Sequence, residues 1–244
     1  MMERVQKILR EWGIASRREG EKMILEGRVK VNGVTVKLGD LASAQRDKIE
    51  VDGKLLTPQR KPSLIYLLLN KPKGYICTCD DPRQRKTVMD LLPAELRMGC
   101  GIHPVGRLDR NSTGALILTN DGALTVHLTH PRYNHPKTYS VTLRGKIPHR
   151  FIKKWAEGFM WEGKKTLPAE ININYQDEQK TQMQITLTEG RNRQIRKIAE
   201  LFGYPVISLH RSAIAFLNVS ALSTGEYRYL TTKEVNYLKQ LHSQ

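Results

Sequence analysis

The sequence contains no long apolar run: nothing in it approaches the ~20 residues that a bilayer-spanning helix requires. Its first residues, Met-Met-Glu-Arg-Val-Gln-Lys, lack an apolar core followed by a small-residue cleavage site, so no secretory leader is expected and the chain reads as soluble and cytoplasmic. Cysteine is scarce. Three thiols, Cys77, Cys79 and Cys100, leave one over from any pairing and do not form a disulfide framework. Cys77-x-Cys79 and Cys100-x-x-His103 offer four zinc-ligand types, but the first pair is closer in sequence than usual zinc sites allow, and no metal is expected. A Gly-rich phosphate loop of the Walker form is also missing, which argues against an NTPase. Carboxylates are outnumbered: 24 Asp and Glu face 40 Lys and Arg, a formal charge of +16. Such an excess attracts polyanions and gives binding that weakens steeply with salt. Because no segment combines a large apolar face with a concentrated basic one, nucleic acid is a better partner than a membrane surface. At 244 residues the chain can bury one large core or two smaller ones.

Val5, Ile8, Leu9 and Trp12 recur at helical spacing and Gly13 follows as a stop. Ser16-Arg17-Arg18-Glu19 has the form of a capping box, which predicts a second helix running to about Glu26. After it, Arg28 to Val36 alternates apolar and polar residues around Asn32-Gly33, a strong hairpin signal, and Ile49 and Val51 supply a further strand. Arg17, Arg18 and Lys22 fall on the outer part of the second helix, while Arg28, Lys30 and Asn32 lie on the hairpin face opposite Val29 and Val31. These six are the candidate RNA contacts of the module. The polar, proline-containing stretch from Gly53 to Ser63 reads as a linker.

Beyond it, Leu64 to Leu69 predicts a buried strand, Thr87 to Leu92 a short helix, and Ala115 to Leu118 a second buried strand closed by a tight turn at Asn120-Asp121-Gly122. Asp109 lies in the loop that enters that strand, within Gly106-Arg107-Leu108-Asp109-Arg110, a carboxylate between two guanidinium groups. Flanking cations favour the ionised form, which suits a nucleophile or base rather than an acid. Loops at the mouths of rigid strands are where catalytic groups collect, although an arbitrary Arg-Leu-Asp-Arg is more often a surface ion pair. Helices are expected over 123–129 and 148–158. Tyr139, Val141 and Leu143 share one face of an alternating strand, and two more strands carry Ile171 to Tyr175 and Met183 to Leu187. Ile195, Ile198 and Phe202 mark a helix that projects Arg193 and Arg196 close together. A strand segment follows from Val206 to Phe216, and a final capped helix carries Val235, Leu238 and Leu241.

Taken together these segments resemble a known family. His103 to Gly122 is similar to the first catalytic motif of the bacterial ribosomal pseudouridine synthases of the RsuA/RluB type, an Arg-Leu-Asp followed by Thr/Ser-Gly, an apolar strand and Thr-Asn-Asp-Gly. Arg107, Leu108, Asp109, Thr113, Gly114 and Thr119 to Gly122 all fall on it. Lys137-Thr138-Tyr139 resembles the family's second motif and Gly190-Arg191-Asn192-Arg193-Gln194-Ile195-Arg196 its third, while Asn70-Lys71-Pro72-Lys73-Gly74 resembles its opening segment. Residues 3 to 53 are similar to the S4 domain, an RNA-binding module. Arg110-Asn111 departs from the pattern, since many relatives carry an acidic or aliphatic pair there.

The resemblance implies an α+β chain: a small S4 domain of two helices plus a hairpin, with its linker, over residues 1–60, then a mixed, mainly antiparallel-sheet synthase domain over 61–244. It implies isomerisation of uridine to pseudouridine in ribosomal RNA, with a lean toward 23S rRNA from the Lys71 to Thr78 and Glu189 to Arg196 segments, by a monomer that needs no cofactor. In that reading Asp109 acts on the ribose, either attacking C1′ or taking the C2′ proton. Tyr139 lies against the base, and Arg196 pairs with Asp109. Arg107, Lys137, Arg191 and Arg193 contact RNA. Two other classes compete: a non-catalytic rRNA-binding assembly factor, which releases no tritium from 5-labelled uridine RNA, and a glycosidase, which releases free uracil and needs a second carboxylate.

Overall fold

The computed structural model describes residues 2–56 and 62–240. The chain divides into two compact units, Met1–Leu64 with Leu92–Ile102, and Ile65–Leu91 with His103–Gln244. The expected boundary at 60/61 and the middle of the expected linker lie outside the described residues, as does Leu241. The sequence alone did not attach residues 92–102 to the first unit.

In the first unit, helix α1 (Val5–Glu11) and helix α2 (Arg17–Leu25) precede strands β1 (Val29–Val31), β2 (Val34–Thr35), β3 (Ile49–Val51) and β4 (Lys54–Leu56). The strands form an antiparallel sheet in the order β2-β1-β3-β4. Ser16 caps α2, its Oγ accepting from the Glu19 N–H at 3.2 Å. Asn32 and Gly33 both take positive φ, as a two-residue hairpin turn requires. Val5, Ile8, Leu9, Val29 and Ile49 are completely buried together, so the apolar stripe of α1 and the inward face of the sheet make one core. Strand β4 was not anticipated from the sequence; a second positive-φ pair, Asp52-Gly53, turns the chain into it.

The second unit is built on a nine-stranded sheet. Strand β5 (Tyr66–Lys71) is buried along its length, and Leu67, Leu68 and Leu69 each contribute about 1.5–3 kcal/mol by leaving water. Strand β6 (Thr113–Thr119) is followed by helix α3 (Gly122–Thr129), strand β7 (Lys137–Arg144), helix α4 (His149–Glu157), strands β8 (Glu170–Gln176) and β9 (Lys180–Leu187), helix α5 (Gln194–Leu201), strand β10 (Val206–Ile214), strand β11 (Tyr227–Tyr229) and helix α6 (Thr232–Gln240). The order is β8-β9-β7-β10-β6-β5-β11. Only the β10–β6 pair along that path is parallel, His210 opposite Thr113 and Arg211 opposite Gly114. Asn120-Asp121-Gly122, expected as a tight turn, is a helix start: the Asp121 carboxylate accepts from the Ala123 and Leu124 N–H groups at 3.0 Å each. Thr87 to Leu92 winds as a 3-10 turn over Val88–Leu91.

Two cores flank the parallel seam. One gathers Val141, Leu143, Trp155, Ile185 and Ile198, the other Leu68, Ala115, Ile117, Leu124 and Leu217. Among the described residues no helix is long and apolar enough to cross a membrane, and no group of three or more His, Cys, Asp or Glu side chains could hold a metal ion. Cys77 is used otherwise: its Sγ accepts from the Leu108 N–H at 3.3 Å and lies 3.4 Å from the Leu108 carbonyl, while burial pushes its thiol up from the ordinary value.

Candidate active site

A cleft of about 240 Å³ opens beside the parallel seam, walled by residues of both cores, among them Val105, Ile117, Leu128, Tyr139, Leu187 and Ile214. That volume lies below the range of sites for drug-sized ligands and suits one nucleoside. Asp109, Arg193, Lys137 and Arg211 line it too.

Asp109 sits on the loop between the short strand His103–Pro104 and β6, and that loop is fastened from three directions. Lys71, at the end of β5 and completely buried, donates from Nζ to the carbonyls of Pro72 (3.0 Å), Asp109 (3.2 Å) and Ser112 (2.8 Å). Cys77 holds Leu108 as described. Arg196, on α5, donates from Nη2 to the Asn111 carbonyl at 3.1 Å and to Ser112 Oγ at 3.2 Å. A buried ammonium is tolerated only when its donors are met, and here three carbonyls meet them. Sequence reading passed over Lys71 because a lysine in Asn-Lys-Pro-Lys-Gly looks like a solvated loop residue. Replacing it with Met keeps the stem and removes the donors. The expected result is a loss of about 1–3 kcal/mol of stability, read by thermal melting, together with slower turnover because Asp109 is no longer held in place.

The carboxylate of Asp109, about a third exposed at 32%, meets two arginines from the far end of the chain. Arg193 Nη1 donates to Oδ2 at 3.2 Å, and Arg196 Nε lies 3.8 Å from the same oxygen. The sequence neighbours do not fill that role, contrary to the flanking-cation expectation. Arg107 is exposed at the cleft, and Arg110 donates from Nε to the Gly74 carbonyl at 3.3 Å. Arg193, expected among the RNA contacts, is the closer partner of Asp109. It takes a left-handed conformation, φ 53°, just before α5, and Arg196 divides itself between the carboxylate and the loop backbone. Burial lowers the Arg196 pKa, with the nearby Arg193 adding to the effect.

Tyr139 projects from β7 into the same cleft and packs by its ring against the first core. Lys137 lies two residues earlier on the same face and donates to the His135 carbonyl at 2.8 Å. Its pKa is pushed down to about 8, first by burial and then by Arg211. The folded state therefore disfavours the charged ammonium. The cost is full below pH 8 and is relieved as pH rises toward the unfolded lysine value of ~10.4. Lys137→Met is expected to be more stable than the native protein at pH 7, with the gap closing between about pH 8 and ~10.4 in denaturant midpoints.

Three expected RNA contacts are committed elsewhere. Arg191 donates to the carbonyls of Trp161 (3.3 Å), Lys164 (3.0 Å) and Lys165 and pairs with Glu189 at 3.1 Å, so it staples a short hairpin instead of reaching for phosphate. In the first unit Arg28 is bound to both oxygens of Asp52 at 2.7 Å and to Glu26 at 3.1 Å. Asn32 is similarly occupied, between Asp47 and the Lys48 N–H, each at 2.9 Å. Arg17, Arg18 and Lys30 are exposed and form no ion pair among the described residues, whereas Lys22 sits 3.8 Å from Glu26. The basic face of the module is thus smaller than its sequence suggests and centres on the start of α2 and on Lys30.

The chain is similar to known proteins. The family model for RNA pseudouridylate synthase matches residues 65–201, and that for the S4 domain matches residues 3–49. The chain is 41% identical over 242 residues to the ribosomal large subunit pseudouridine synthase B of Bacillus subtilis, covering 98% of this chain and 97% of that one. It is 35% identical over 232 residues to a dual-specificity RNA pseudouridine synthase of Salmonella typhi, covering 95% and 77%. A crystal structure of a pseudouridylate synthase aligns over 96% of this chain and 99% of its own, with a TM-score of 0.69 and 33% identity.

Proposed function

The chain belongs to the RNA pseudouridylate synthase family, and from that premise we propose that it converts a specific uridine of ribosomal RNA, in the large subunit, to pseudouridine, with Asp109 acting on the ribose. The observation that carries the assignment of residues is the convergence of Asp109, Arg193 and Tyr139 on one nucleoside-sized cleft, with Arg196 behind the carboxylate. A base inside a folded RNA cannot reach such a cleft, so the nucleotide is flipped out of its stack and received there.

Once received, the C1′–N1 bond breaks and its electron pair leaves with N1. Asp109 either forms a bond to C1′ or removes the C2′ proton to leave a glycal. The base then turns and C5 joins C1′, as the Asp109–C1′ bond breaks on the first route or as Asp109 returns its proton to C2′ on the second; the C5 proton departs and N1 gains a proton, so the product is an isomer of the substrate. Arg193 and Arg196 hold the carboxylate in place, and the Tyr139 ring supports the base while its hydroxyl is available to the C5 proton. Residues 1–60 act as the RNA-gripping module and 61–244 as the catalytic domain, with Arg17, Arg18 and Lys30 on phosphates and Arg107 at the cleft. Every group invoked comes from one chain, so a monomer suffices.

The experiment is incubation of the protein with large-subunit rRNA carrying 5-tritiated uridine. Tritium in water and pseudouridine at one position are expected. Free uracil instead points to a glycosidase, and salt-sensitive binding with neither product points to an assembly factor.

A further inference from the structure

The charges in the cleft do not balance. Its two lining carboxylates are already taken: Asp109 by Arg193 and Arg196, and Glu189 by Arg191 and Gln194. Besides the exposed Arg107, Lys137 and Arg211 remain, on adjacent strands, with no carboxylate partner among the described residues. The β7–β10 ladder skips a residue between Thr138 and Tyr139, which sets Arg211 directly across from Tyr139 while Lys137 shares that face. Arg211 is only 4% exposed. Its Nε is fixed on the Ala115 carbonyl at 2.7 Å, and its Nη2 is buried with no hydrogen-bond partner. A buried guanidinium beside a partly buried ammonium with no counter-ion is costly, and an unmet guanidinium N–H adds to the cost. Such an arrangement is understandable where a ligand brings the missing negative charge.

We propose that Arg211 and Lys137 bind a carbonyl oxygen of the flipped uracil and stabilise the negative charge that passes into the base when the C1′–N1 bond breaks. This rests on the proposed function and adds to it a second set of residues, acting on the leaving group instead of the sugar. When N1 takes the bonding pair, the charge spreads over N1, O2 and O4. A base lying on the Tyr139 ring has its edge toward the cross-strand neighbour of that ring, Arg211, whose Nη2 donates to the oxygen on which charge grows. Lys137 adds its charge from the same face. Donors fixed beforehand in a place sheltered from water are more effective against developing charge than the same groups in solution. A backbone phosphate is a poorer fit for this pair. Leu209 and Ile214, both buried and both lining the cleft, surround them, whereas the exposed Arg107 stands at the cleft within reach of phosphate.

The test compares wild-type protein, Arg211→Met and Lys137→Met in single-turnover reactions at saturating enzyme, on RNA carrying uridine or 5-fluorouridine at the target. Cleavage is followed as loss of the target nucleoside after digestion, with RNA affinity measured across salt. The expected result is a rate about 100-fold lower for Arg211→Met, a smaller loss for Lys137→Met, and RNA affinity little changed. Fluorine withdraws electrons and makes the departing base intrinsically more stable, so both defects shrink on 5-fluorouridine. Unchanged rates with weaker, less salt-sensitive binding identify phosphate contacts and overturn the inference. So does a defect of equal size on the two nucleosides. Lys137→Met decides the matter should Arg211→Met fail to fold, because Lys137 is only partly buried and makes a single hydrogen bond. A wild-type protein that converts no uridine refutes the function itself; an active wild type matched by both variants refutes only this step.

Discussion

Asp109→Asn is expected to lower pseudouridine formation by roughly 10⁴-fold or more, the scale seen when a covalent or basic centre is removed from an enzyme. Asn is nearly the same size and keeps an oxygen that can accept from Arg193 at the position Oδ2 now holds. It can neither bond to C1′ nor take a proton from C2′. Because the carboxylate is about a third exposed, at 32%, losing its ion pairs costs at most about 1 kcal/mol. The variant therefore melts close to the native protein and binds rRNA at least as tightly, since removing a negative charge adds to an already basic surface. Tritium release on 5-labelled uridine RNA separates these effects: binding preserved and chemistry gone is the expected outcome. Turnover at the native rate removes Asp109 from the mechanism, whatever the fold.

The second large effect falls on stability. Gly114 stands where β6 runs parallel to β10, opposite Arg211, with φ at +105°. A Cβ at that position meets the Arg211 carbonyl oxygen at 2.2 Å and its carbonyl carbon and amide nitrogen at 2.8 Å. All three are backbone atoms, so no rotamer change relieves the clash, and the φ itself is unfavourable for any side chain. Gly114→Ala must prise the parallel seam apart. A loss of about 3 kcal/mol or more is expected, which in a chain of this length lowers Tm by roughly 6–12 °C. The same seam anchors the Asp109 loop and Arg211, so the folded fraction also turns over more slowly. Differential scanning calorimetry and a single-turnover rate measure the two consequences separately. An alanine variant that melts with the native protein contradicts the backbone contact.

Local signals in the sequence proved readable, and contacts between distant segments did not. The capping box at Ser16, the Asn32-Gly33 hairpin and the alternation through Tyr139, Val141 and Leu143 are each set by neighbours a few residues away, and each element forms within about two residues of its expected ends. Asp109, Tyr139 and the third-motif arginines were legible as motifs, and they line or back one cleft. The sequence did not say which arginine faces the carboxylate, because that depends on how the left-handed Arg193 turns the chain into α5. Arg191 was read as an RNA contact from its place in the third motif, and Arg28 from its face of the hairpin. Their true partners, a set of backbone carbonyls about 30 residues earlier and an aspartate 24 residues later, are brought in by folding. Lys71 and Arg211 escaped for the same reason, since nothing local to an Asn-Lys-Pro or a Leu-His-Arg indicates that the cation will be buried.

The Lys71 anchor has a bearing on how the protein responds to its surroundings. Its grip on the loop is sealed from mobile ions, whereas Arg17, Arg18 and Lys30 stand in the open, within the reach of screening. Raising the ionic strength should thus thin the supply of captured rRNA while the chemical machinery keeps its shape, so that half-saturation climbs and the maximal rate stays level.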